Sequence, residues 1–199
     1  MSYITLCLPF NVDGVEAKKL LSTAWLFKVA SHRMLSIVKQ SPIPPVTDIG
    51  WKNTFRKVIY DVIPNRRYTD GVIVLVRGIY ESCRQLGIDF KSVELGDWLM
   101  FQQVEKEYPV RNITLKQGYE FHITTIDCNG NSDRIVIKPS IPKKYRVLLD
   151  KILEEKQKHT ARVAIKDYGV RKGMLWIHGE IQLTIPLNFY HKYMIKYRR

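Results

Sequence analysis

Cysteine is scarce in these 199 residues: Cys7, Cys83 and Cys128 stand far apart without a CxxC pair, and the five histidines are equally scattered. That spacing excludes a zinc site built from local sequence, and three free thiols suit a reducing compartment. No apolar run approaches the roughly 20 residues that span a bilayer, so no membrane association through a spanning helix is expected. The start, MSYITLCLPFNVDG, has neither a basic n-region nor a small-residue cleavage site, which points to the cytoplasm. The phosphate loop GxxxxGK, the nucleophile elbow GxSxG and the HExxH helix are all missing, and no carboxylates group regularly. The chain is therefore expected to need no cofactor and to carry no catalytic centre of its own. Internal repeats and low-complexity segments are absent as well.

Acid is the minority charge, with 19 Asp or Glu against 32 Lys or Arg, for a net charge of +13 and a pI near 9.7. Such an excess favours a polyanionic partner, nucleic acid before a membrane surface. It is also uneven: residues 138–199 hold 15 basic against 5 acidic side chains, a net +10, whereas residues 1–137 carry only +3. With 45% hydrophobic residues there is ample material for a core.

Periodicity divides the chain. YITLCLPF is rich in strand formers, and Pro9, Asn11, Asp13 and Gly14 are expected to break it. From Val15 to Lys39, the residues Ala17, Leu20, Leu21, Ala24, Phe27, Met34, Leu35 and Val38 form a helical stripe, which ends in the rigid loop SPIPPVTDIG. Trp25 and Phe27 read as core. A second helix is expected over Trp51–Asp61. A third is expected to begin near Thr69 as N-cap, with Val72, Val76, Ile79, Tyr80 and Cys83 on its apolar face and Gly87 at its end.

Beyond Gly87 the period shortens. DWLMFQQV, RNITL, YEFHITTI and DRIVIKP read as strands, and Asn129-Gly130 predicts a type I′ hairpin turn. One helix over about 141–158 interrupts them, with Pro142 near its start and Val147, Leu148, Ile152 and Leu153 on its apolar face. In the final strand Leu175, Ile177, Gly179, Ile181, Leu183 and Ile185 alternate with polar neighbours, implying one buried and one wet face. The isolated first strand needs a partner, so it is expected to join the later strands. The predicted class is α+β. Residue range 1–10 supplies the first strand of a β-barrel-like unit, 11–90 an inserted lobe of about three helices, and 91–199 the rest of that unit.

Basic and aromatic residues interleave on the expected wet face of the last hairpin: Arg162, Lys166 and Tyr168, then Arg171 and Lys172 in the turn, then Trp176 and His178. Aromatic faces stack on unpaired bases while flanking cations hold phosphates, an arrangement suited to RNA or single strands. Lys143, Lys144 and Arg146 at a helix start offer a second phosphate contact. Arg66 and Arg67 add formal positive charge beside a third helix start, where an anion is already favoured. Asp127 stands at a strand end before a hairpin, as the first metal-binding Asp of RNase H-like nucleases does; Asp133 is its only acidic neighbour, which argues against a metal pair there.

Three stretches together resemble the N-terminal half of TnpB, the insertion-sequence protein related to type V CRISPR effectors. These are YITLCLPF with LLSTAWLFKVASHRMLSIVKQ, the helix PNRRYTDGVIVLVRGIYESCRQLG, and the hairpin ARVAIKDYGVRKGMLWIHGEIQLTIP. The resemblance implies a β-barrel wedge unit with an inserted helical recognition lobe, gripping a guide RNA and the target DNA. It also implies that Arg66, Arg67 and Asp70 lie where relatives read the short DNA motif beside the target. The sequence stops at YMIKYRR, where that family continues into its RuvC nuclease, so binding without cutting is expected of these residues. A stand-alone basic regulator reading duplex DNA with its helices is the alternative, and an RNase H-like enzyme centred on Asp127 a third.

Overall fold

The alternating strand near the end of the chain finds its partner in the first. In the computed structural model, which describes residues 2–41, 44–104 and 110–194, β1 (Tyr3–Asp13) pairs antiparallel with β7 (Met174–Pro186). The register runs from Tyr3 opposite Pro186 to Asp13 opposite Trp176. β7 pairs on its other side with β6 (Thr160–Arg171), and β6 with β2 (Leu99–Val104), giving the order β1-β7-β6-β2. A second antiparallel sheet holds β3 (Ile113–Leu115), β4 (Phe121–Ile126) and β5 (Ser132–Ile137).

The class is α+β, as the change of period predicts, but among the described residues the sheets do not close into a barrel. Hydrogen bonds join their edges instead. Ser140 N donates to Pro9 O at 2.7 Å, and Asn112 N donates to the Gln103 side chain at 2.5 Å. Between the sheets lies α1 (Gly14–Gln40), whose stripe of Ala17, Leu20, Ala24, Phe27, Met34, Leu35 and Val38 is buried. It meets Leu6, Leu8 and Phe10 of β1 and the inward Ile177, Ile181, Leu183 and Ile185 of β7 in one core. Each such side chain contributes about 1.5–3 kcal/mol by leaving water. Thr23 in α1 docks the second sheet: its hydroxyl accepts from Ile126 N at 2.8 Å and donates to Lys19 O at 2.9 Å.

α2 (Asp48–Tyr60) packs on α3 (Arg66–Leu86), and α3 runs beside β2. The approach is close enough to demand glycine: a Cβ on Gly71 would stand 2.3 Å from the backbone oxygen of Gln102. Gln102 Nε2 in turn donates to Gly71 O at 3.1 Å. α4 (Lys143–Glu154) buries Leu148, Leu149 and Ile152, while α5 (Leu187–Met194), which no periodic signal announced, packs against α4 and β7. Among the described residues no helix is long and apolar enough to cross a membrane.

Several expectations need correcting. β1 runs through Pro9, because that residue lies on the outermost strand, where no further ladder partner calls for its missing N–H. α3 begins at Arg66, not near Thr69. Asn65 caps it by accepting from Arg67 N and Tyr68 N, and Thr69 is buried with its hydroxyl donating to Ile63 O at 3.0 Å. The Asn129-Gly130 turn is not type I′, since only Gly130 in that loop has positive φ (83°). Trp25 is 44% exposed, whereas Phe27 is fully buried. Of the expected loop over 41–50, residues 42 and 43 lie outside the described residues, as does most of YMIKYRR.

Candidate nucleic-acid interface

The hairpin of β6 and β7 turns through Lys172 and Gly173, with φ of 50° and 76°, the two mirrored positions of a type I′ turn. β2 begins at Leu99 opposite Ile165, but β6 continues to Arg171, so the outer part of the hairpin extends past β2. Where β2 gives out, a bulge between Ile165 and Asp167 makes Lys166 an extra residue. A bulge resets the alternation of faces. Arg162 lies opposite Gln182, Gly169 opposite Trp176 and Tyr168 opposite Ile177. Tyr168 therefore stands on the face opposite to Trp176, and the single aromatic-basic face expected from sequence is split in two.

Trp176 is half-buried, its indole lying against Gly169, where an added Cβ would come within 3.1 Å of the ring. With Arg171 and Lys172 it lines a groove of about 600 Å³ that Asn11 and Asp13 close at the end of β1. His178 Nδ1 lies 2.9 Å from Asn11 Oδ1, so its ring is tied to β1. Lys166 pairs with Glu180 at 3.2 Å. Arg162 is half-buried and donates from Nη2 and Nε to Gln102 Oε1 at 2.8 and 3.2 Å; burial holds its pKa below the usual range. Arg171 and Lys172 are exposed and have no carboxylate partner among the described residues.

Lys143, Lys144 and Arg146 all project from the first turn of α4 into solvent. Pro142 precedes them without a side-chain cap, leaving the first amides of the helix open to an anion. Lys144 Nζ stands 5.0 Å from the Tyr145 ring centroid and the Arg146 guanidinium 5.8 Å from that of Tyr119.

At the start of α3, Arg66 is exposed and Arg67 half-buried. The cap there is itself braced, because Asn112 Nδ2 donates to Asn65 Oδ1 at 2.6 Å. Asp70 is engaged within the fold: Arg56 Nε and Nη2 reach its two oxygens at 2.8 and 3.1 Å, joining α2 to α3. Asp127 is likewise occupied. It accepts from Asn129 N at 2.9 Å, Asn131 N at 2.8 Å and Asn131 Nδ2 at 3.0 Å, bonds that hold its carboxyl below the ordinary range. Asp133 pairs with Lys19 at 2.5 Å. Among the described residues no three His, Cys, Asp or Glu side chains converge as metal ligands.

Two residues escaped the sequence reading. Trp25 of α1 and Trp98, just before β2, line a second groove of about 550 Å³ together with Arg162, Lys166 and Tyr168. For Trp25 a signal existed: it lies off the buried stripe and one turn before Lys28, whose ammonium sits 5.0 Å from its ring centroid. The structure thus gathers Arg162, Lys166 and Tyr168 at one groove and Arg171, Lys172 and Trp176 at another.

Residues 15–195 match the SSO2105 N-terminal domain. The chain belongs to that family. Two uncharacterized proteins of Aeropyrum pernix are each 77% identical to this SSO2105 N-terminal domain over all 199 residues, which make up 48% and 54% of their lengths. The domain thus spans about half the length of the curated relatives it matches. In fold it is similar to a chain in the cryo-EM structure of the Cas12f1–sgRNA–target DNA complex. The TM-score is 0.51 at 9% identity, covering 85% of the domain and 42% of that chain.

Proposed function

We propose that this SSO2105 N-terminal domain is the nucleic-acid-binding module of a TnpB-like RNA-guided DNA endonuclease, gripping a guide RNA and the DNA beside the target. The observation that carries this reading is a set of cations without carboxylate partners among the described residues, Lys143, Lys144, Arg146, Arg171 and Lys172, on a fold similar to part of the Cas12f1 chain. Cations left unpaired by the fold are free to replace the counterions of a phosphate backbone. In this reading the hairpin and the start of α4 face RNA. Arg66 and Arg67 approach DNA from the start of α3, while Asp70 braces that start through Arg56. The chain binds and does not cut; cleavage belongs to a RuvC-type part in a longer relative.

Binding of the 199-residue chain to structured RNA and to duplex DNA of equal length, titrated against salt, tests this. Tighter binding to RNA, with a steep salt dependence, is the expected result. Preference for duplex would replace the reading with that of a basic regulator. Cleavage of either substrate with Mg²⁺ or Mn²⁺, lost in Asp127→Ala, would replace it with an RNase H-like enzyme.

A further inference from the structure

The groove where β2 gives out combines features that the hairpin tip lacks. Its walls bring aromatic rings from three separate segments: Trp25 from α1, Trp98 ahead of β2, and Tyr168 from β6 beyond the bulge. Trp25 and Tyr168 are 44% and 45% exposed, although large aromatic side chains ordinarily bury most of their surface. Lys28 covers one ring, at 5.0 Å from the Trp25 centroid, and is itself paired with Asp97. Leu75 and Ile79 of α3 make the apolar remainder of the lining.

At the same groove stands Arg162, and its charge is not balanced. Its hydrogen-bond partner is the neutral amide oxygen of Gln102, and among the described residues no carboxylate pairs with it. A half-buried guanidinium without a counter-charge is costly, and burial indeed lowers its affinity for the proton. Replacing it with a neutral side chain should relieve the fold rather than harm it. A charge kept at such a cost is explained by an anion that arrives from outside. Lys166, at the bulge beside it, shares the groove and is only partly neutralised by Glu180 at 3.2 Å.

We infer that this groove takes one unpaired nucleotide, its base against the Trp25, Trp98 and Tyr168 wall and its phosphate on Arg162 and Lys166. The volume of about 550 Å³ accommodates a nucleotide, and the apolar and cationic parts of the lining match its two halves. The inference rests on the nucleic-acid-binding reading above but concerns a single-stranded segment, distinct from the structured RNA assigned to the hairpin tip and α4.

Photocrosslinking to single-stranded 12-mers carrying one 5-iodouridine, or one 5-iododeoxyuridine, locates the base directly, because such a base joins the aromatic ring it stacks on. Crosslinked peptides containing Trp25, Trp98 or Tyr168 are expected, and the RNA and DNA arms identify which strand the groove prefers. Arg162→Gln should weaken 12-mer binding about tenfold, the scale of one charge-assisted hydrogen bond, and leave the thermal midpoint unchanged or raised. Tyr168→Ala, at an exposed position, should cut the crosslink yield without unfolding the chain. Crosslinks confined to Trp176, or an Arg162→Gln variant that loses stability and keeps its affinity, would overturn the inference while structured-RNA binding persisted. Loss of all RNA binding would instead remove the nucleic-acid reading as a whole, and this inference with it.

Discussion

The helical side of the molecule and its C-terminal sheet differ in what their ion pairs join. In and around α1–α3, Lys19 pairs with Asp133, Lys28 with Asp97, Lys52 with Asp48, Arg56 with Asp70, and Arg77 with both Asp48 and Glu81. On the C-terminal side Lys166, Lys151 and Lys192 find carboxylates, but Lys143, Lys144, Arg146, Arg162, Arg171 and Lys172 do not among the described residues. On the helical side the pairs mostly tie separate elements together, and on the C-terminal side they mostly join neighbours within a helix or hairpin; Lys18, Arg33, Lys57 and Arg84 show that the helical side too carries cations without a carboxylate partner among the described residues. Charge counted along a sequence does not separate these arrangements; partners do.

The sharpest way to break this comparison is to damage the scaffold side at one backbone contact. Gly71→Ala would push α3 away from β2 and should cost about 2–3 kcal/mol of stability in chemical denaturation, with loss of binding only through unfolding. On the sheet side the opposite pattern is expected. Arg171→Ala combined with Lys172→Asn, which preserves a residue suited to positive φ, should leave the unfolding midpoint in place. The slope of log affinity for RNA against log salt should fall by about 1.5–2, two phosphate contacts' worth.

Protons sharpen the contrast further. His159 is buried, with Nδ1 2.9 Å from Gln157 O and no partner for Nε2 among the described residues, and burial lowers its pKa. The unfolded chain then binds this proton more readily than the folded one. Stability contributed by the neutral ring is present above the unfolded value of about 6.5 and is lost as pH falls toward the lower folded value, by at most about 1.4 kcal/mol per pH unit. His159→Phe should flatten that part of the stability profile. A smaller effect belongs to Asp70→Asn, which leaves Arg56 without its carboxylate and should cost roughly 1 kcal/mol. In a guide-loaded longer relative it should leave DNA-motif preference unchanged, whereas Arg66→Ala should alter it. Smallest of all, Gly78→Ala meets no atom within 4 Å and should stabilise α3 by about 0.5–1 kcal/mol.

Much of this architecture was legible because burial writes itself as periodicity. The α1 stripe, the Gly87 stop, the alternating β7 and the return of the first strand to the later sheet all follow from apolar spacing. What escaped was decided by hydrogen bonds, a bulge and contacts that apolar spacing does not record. Asn65, not Thr69, caps α3 because Thr69 turns inward to Ile63 O. Tyr168 left the face of Trp176 because one extra residue, Lys166, resets the pleat where β2 gives out. The Trp25–Trp98 groove joins residues 73 positions apart and has no local signature beyond the position of Trp25 off its stripe.

The pairing of β1 with β7 also has a consequence in time. Tyr3 meets Pro186, so this strand cannot be hydrogen-bonded along its length into its sheet until synthesis has run on through β7. At about 5–20 residues per second, that wait is on the order of ten to forty seconds. Throughout it, Leu6, Leu8 and Phe10, all fully or almost fully buried at the end, have only the later-arriving β7 to pair beside. Pro9, set among them on an outermost strand, denies a foreign strand one backbone donor during that interval. A residue that seems to interrupt the strand is then a safeguard for it while the chain is still growing.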